Sequence, residues 1–139
     1  MANGGVVGKF NPTSAGPGTV AEKITTVNAS GSFVAGTHTN AADLLLVAGG
    51  AAVRGGPGGT GGGGAGGLIQ RPAAPIVGGT TYPITIGAGG QRTNPSPNVP
   101  TPAVGGDTTG FGLTAKGGGS PAVGTSTTDR QGGSGGGGS

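Results

Sequence analysis

The chain has 139 residues, enough for one domain, but 38 are glycine, 11 are proline, and the aromatics are three phenylalanines and one tyrosine with no tryptophan. Burial returns roughly 25 cal/mol per Å², while each ordered residue costs about 1–2 kcal/mol of backbone entropy, glycine most of all. A lone copy is therefore expected to be marginal and to take order from identical copies or a larger assembly. The net charge of +3 comes from scattered cations (Lys9, Lys23, Arg54, Arg71, Arg92, Lys116, Arg130) against Glu22, Asp43, Asp107 and Asp129. That distribution forms no basic patch, so nucleic-acid binding is not expected. The absence of cysteine excludes disulfides and thiolate metal sites.

Glycine is concentrated in the second part of the chain, and the change falls near Gly49. Residues 1–19, with Gly4, Gly5, Asn11-Pro12 and Gly16-Pro17-Gly18, read as an extended arm with turns. No basic stretch followed by an apolar run marks a secretory signal there. Residues 23–27 are β-branched, residues 28–31 have turn chemistry, and Phe33 and Val34 follow, a pattern that predicts a local hairpin. Residues 35–40 form a second loop. Residues 43–48, with Leu44, Leu45, Leu46 and Val47, are apolar on both alternations and predict a strand buried on both faces. The run is too short to span a bilayer, so no membrane insertion is expected.

From Gly49 to Gly67 no periodicity survives. Such a tract reads either as a flexible linker or as an extended helix of three residues per turn, whose bare backbones pair side by side and satisfy each other's amides. Leu68 and Ile69 open a new extended segment. Pro72 and Pro75 would each remove a ladder donor, so the segment belongs at a sheet edge. Gly78-Gly79 is a turn, and residues 80–86 alternate as a clear strand around Tyr82, Ile84 and Ile86. Residues 91–106, with Pro95, Pro97, Pro100 and Pro102, predict a loop. Residues 110–115, with Phe111 and Leu113, predict one short strand that runs into Gly117-Gly118-Gly119. Residues 131–139 form a Gly/Ser tail, which matches an engineered linker in composition and equally the natural continuation of a glycine tract; the second reading is preferred. The expected core is Phe33, Leu44, Leu45, Leu46, Val47, Tyr82, Ile84, Ile86, Phe111 and Leu113.

No constellation carries chemistry. Gly59 to Gly64 fits the G-x-G-x-x-G spacing, but no helix pattern opens there and no acid follows about 20 residues on. Arg54-Gly55-Gly56 is a single unit of a kind that binds RNA only in repeated copies with aromatics between them. His38 is the only histidine, and the acids are isolated, so neither a nucleophilic triad, a metal set nor a carboxylate pair is expected. The chain is expected not to be an enzyme and to need no cofactor.

Taken in order, the pieces resemble a glycine-rich domain of bacteriophage tail fibres and related virion appendages. Residues 27–34 resemble its opening hairpin. Residues 43–50 resemble its signature strand running into polyglycine. Residues 64–68 and 79–90 resemble its second half, and residues 111–119 its closing strand and tract. The match covers residues 20–139. The resemblance implies an all-β module of short strands joined by glycine-rich tracts, with polyglycine II-like packing in view, completed as a homotrimer. It implies a virion location, docking onto other tail or capsid proteins through residues 1–35, and contact with a host-surface receptor, for which loop 91–106 is the expected place. A capsid decoration or head-fibre protein, and an RNA-binding glycine-rich segment, stay open as alternatives.

Overall fold

A computed structural model describes residues 23–53, 62–91, 104–121 and 132–134. The architecture is all-β with no helix among the described residues: β1 (Gly31–Val34), β2 (Ala41–Val47), β3 (Leu68–Pro75), β4 (Thr81–Thr85), β5 (Thr108–Gly110) and β6 (Leu113–Ala115). They form a four-stranded antiparallel sheet in the order β1-β4-β5-β6 and a two-stranded sheet of β2 and β3.

One long ribbon links the two sheets. Residues 31–34 pair with residues 81–84, and residues 44–47 pair with residues 68–71. Stepping inward one residue at a time on both arms from Gly31 and Ile84 arrives at Val47 and Leu68, then at Ala51 and Gly64, which are also hydrogen-bonded. Across the two connections the Ala35 amide donates to Thr80 and the Ile76 amide to Asn40. The register shifts by one residue between those two contacts and shifts back by one between Ala42 and Leu44. There Ala73 takes φ 48°, a conformation uncommon for alanine. Its displaced amide donates to Asp43 Oδ1 at 2.7 Å. Asp43 thus has a structural role, as the acceptor that closes a bulge beside Pro72, which has no amide to offer.

The ribbon also corrects the expected hairpin over residues 23–34. Residues 23–28 carry no strand, Ile24 is 90% exposed, and β1 pairs with β4 instead. The long-range pairing sets Phe33 opposite Tyr82 and so gains an aromatic cross-strand contact that a local hairpin of threonines lacks.

The core lies where β2 and β3 lie over β5 and β6. Leu46, Ala48 and Ala115 are buried, with Leu44, Ile69 and Leu113 packed against them. Ile84 is buried in the larger sheet, while Phe33, Tyr82, Ile86 and Phe111 are half-buried. β2 is not buried on both faces as its sequence suggests. Leu44 and Leu46 point inward, but Leu45 and Val47 point outward and are 63% and 54% exposed. A two-stranded sheet with a single neighbour buries one face only, so consecutive leucines conceal an ordinary period of two.

The expected strand over residues 110–115 is also broken. Phe111 and Gly112 both have positive φ, 54° and 73°, and turn the chain in a two-residue hairpin between β5 and β6. The arm of residues 1–19 lies outside the described residues, as do residues 92–103 of the proline-rich loop.

Candidate functional site

The part of the molecule with no counterpart in an ordinary sheet is built from glycine tracts. Among the described residues these are 48–52, 62–67, 87–91, 104–106, 116–119 and 132–134. The tract at residues 48–52 donates from Ala48 to Gly67, from Ala51 to Gly64 and from Gly49 to Gly106, and accepts from Gly90 and Gly118. It therefore has four neighbouring tracts. A β-strand alternates its amides between two sides and can have no more than two.

The period confirms the geometry. Ala48 and Ala51, three apart, reach the same neighbour, while Gly49 between them reaches another. Gly64 and Gly67, also three apart, both donate to the tract at 116–119, on Gly119 and Lys116. Three residues per turn send successive amides about a third of a turn apart. This is the bonding of a polyglycine II lattice, and it resolves the two readings of the glycine run in favour of the extended helix for the described tracts. The tract at 116–119 is innermost. It bonds to the tracts at 48–52, 62–67, 104–106 and 132–134, and Gly117, Gly118, Gly119, Ser120 and Pro121 are all buried.

Glycine is required here for its missing Cβ, not for its freedom in φ. Among the described residues the glycines with positive φ are Gly79 and Gly112, both in turns. In the lattice, a Cβ on Gly105 would overlap the Gly49 carbonyl, one on Gly118 the Gly64 carbonyl, and one on Gly63 would come within 2.5 Å of the Ala51 oxygen. At these positions a Cα hydrogen points at a neighbour's carbonyl, adding weak C–H···O contacts to the N–H···O bonds. Ala65 and Ala88 turn their side chains outward and are exposed, while Ala48, at the start of its tract, is buried in the core beside Leu46 and Ala115. The eleven tract-to-tract bonds, at about 1 kcal/mol net each, contribute on the order of 10 kcal/mol. That is comparable with burying Leu46, Ile76 and Ile84, at about 1.5–3 kcal/mol each, together with a few alanines.

Two polar residues join lattice to sheets. Thr108 is buried; its hydroxyl donates to the Val47 carbonyl and accepts from the Gly87 amide, both at 2.9 Å. Asp107 receives Lys116 Nζ at 2.6 Å and the Gly117 amide at 2.9 Å. The hydrogen bond from Lys116, then that from Gly117, holds its carboxyl below the ordinary range. Neither residue stands out in the sequence, because a lone Thr and a lone Asp in a loop give no periodic signal.

The structure gathers no chemistry around the remaining sequence candidates. His38 is exposed, and no cluster of three or more potential metal ligands exists among the described residues. Of the G-x-G-x-x-G run, residues 62–64 lie in the lattice and β3 follows, not a helix; residues 59–61 lie outside the described residues, as does Arg54. Gly105 and Gly106, expected to end a loop, and residues 132–134, expected in the tail, are lattice members. No helix among the described residues is long and apolar enough to cross a membrane.

One face stays unpartnered. Leu45, Val47 and Leu68 share the outer surface of β2 and β3, Val47 directly opposite Leu68, each more than half exposed.

A family model described as "Glycine-rich domain" matches residues 24–139. No curated protein and no solved structure matches the chain.

Proposed function

This chain belongs to the glycine-rich domain family, and from that premise we propose that it is a structural component of a bacteriophage virion. In this reading it is a tail-fibre or tail-appendage protein, anchored by its N-terminal region and contacting the host surface. The observation that supports the reading is the lattice itself. Tract bonds tract on several sides at once and joins the strands through Thr108, an arrangement suited to bearing load and presenting loops. The resemblance of the sequence, taken in order, to a glycine-rich domain of tail fibres is the second support for this reading.

In the same reading the module is a homotrimer. The apolar stripe of Leu45, Val47 and Leu68 supports this, because a contiguous exposed apolar patch marks an interaction surface. Docking onto other virion proteins runs through residues 1–35.

The test is immunogold labelling of phage particles from the source culture with antibody against this chain, together with light scattering of the purified protein. Label on the tail and a mass of three copies are expected. Label confined to the head would replace the tail reading with the head-fibre alternative. Particles without label would refute a virion role.

A further inference from the structure

β1 is an outermost strand of the larger sheet and touches no strand but β4. Its backbone alternates between the two sides. Ala35, the next residue, turns both its amide and its carbonyl to the β4 side, on Thr80 and Gly79. Phe33, two residues back, therefore does the same, and Ser32 and Val34 turn theirs away from the sheet. Pro83, opposite Ser32, agrees with that phase, since it has no amide to offer β1. Both outward residues are exposed, Val34 to 61%.

An open strand edge is ordinarily blunted by proline, charge or a bulge. β3 has all three, in Pro72 and Pro75, in Arg71 and in the bulge at Ala73. β1, with the sequence Gly-Ser-Phe-Val, has none of them.

An unpaired strand-like segment lies just ahead of β1. Ile24, Thr25, Thr26 and Val27 are all β-branched, the residue types that favour strands. None of the four makes a hydrogen bond to another described residue, and Ile24 is 90% exposed. The segment does not fold back onto its own β1. The Ser30 hydroxyl accepts the Ile86 amide at 2.9 Å, which keeps the chain in line with β4 and leads residues 24–27 beyond the end of β1.

We propose that residues 24–27 of one copy add as a strand to the free edge of β1 in the next copy, bonded backbone to backbone through Ser32 and Val34. Pairing of β1 with β1 across a twofold axis would leave Ile24 bare and the β-branched run unused. Donor and acceptor are different surfaces of the chain, so the contact runs head to tail, the kind that closes into a ring. Three copies make the trimer proposed above, and the strand exchange rests on that trimer reading, not on a virion role. Residues 24–34 are then taken up between copies, which leaves residues 1–23 for docking onto other proteins. The apolar stripe of Leu45, Val47 and Leu68 lies on the other sheet and is a separate surface.

The experiment is light scattering of the full chain and two variants. Val34→Pro removes an outward amide and leaves the ladder between β1 and β4 whole. The double variant Thr25→Pro/Thr26→Pro removes donor-segment amides of either phase. Each variant is expected to keep the parent's circular dichroism and to run as a single copy where the parent runs as three. Mixed in equal amounts, the first supplies an intact donor and the second an intact edge, so a species of two copies is expected. Exchange of the Ser32 and Val34 amides is expected to be at least about tenfold slower in the parent than in the double variant. A parent of three copies whose variants keep that mass would sink the strand exchange alone, whereas a parent running as one copy would sink the trimer reading with it. Variants that stay single when mixed, or equal exchange in parent and double variant, would overturn the exchange as well. A parent of two copies would set β1 against β1 in place of residues 24–27.

Discussion

Replacing Gly118 by alanine puts the lattice to its sharpest test. The added Cβ would overlap the Gly64 carbonyl oxygen and come within 2.9 Å of the Ala51 amide nitrogen. Both are backbone atoms, so no side chain can swing aside, and the innermost tract must move. Gly118 donates to Gly49 and accepts from Gly105. Leaving those buried groups unsatisfied costs about 1–3 kcal/mol each. The expected loss is therefore about 2–6 kcal/mol, a large part of the roughly 5–15 kcal/mol typical of a whole domain. Gly62→Ala is the matched opposite. No heavy atom lies within 4 Å of its Cβ position and its φ is not positive, so alanine should stabilise by about 0.4–1 kcal/mol through the unfolded chain. Urea unfolding at one protein concentration, followed by Tyr82 emission and circular dichroism, measures both. Amide exchange at Gly105 and Gly118 locates the damage. A Gly118→Ala variant within about 0.5 kcal/mol of the parent, or equal losses in the two variants, would refute the lattice argument.

Thr108→Val keeps the shape but removes both hydroxyl bonds, stranding the Val47 carbonyl and the Gly87 amide. A drop of about 2–4 kcal/mol in urea unfolding is expected, and Thr108→Ser should recover most of it. Asp107 has a folded pKa below its unfolded value, so its contribution is fully present above the ordinary carboxylate range and is lost as pH falls through the lower folded value. Asp107→Asn should flatten that acid limb, which acid titration of the unfolding midpoint measures, and high salt should weaken the parent's ion pair with Lys116. Leu45→Lys places a charge in the exposed apolar stripe without touching the inward core. If the proposed trimer is built on this stripe, light scattering should then show dissociation to single copies, and an unchanged mass would exclude the stripe from any such interface.

The all-β class, the position of the apolar strand at residues 44–47 and the strand around Tyr82 and Ile84 were legible in the sequence, because period-two alternation and β-branching are local signals. Glycine's lack of a Cβ also made a close-packed extended backbone one of two open readings. The partners were not legible. Phe33 pairs with Tyr82 rather than with residues 23–27, and nothing within ten residues of Phe33 encodes that choice. Phe111 sits in a turn with its ring against Tyr82 and Phe33, contacts that lie far from it in sequence. Leu45 and Val47 read as core beside Leu44 and Leu46 until the smaller sheet proves to have one covered face. Composition determined that the backbone would have to bond to itself. Which tract lies against which depends on contacts between residues as distant as Gly49 and Gly118, and glycine, having no side chain, carries no local mark of its neighbour.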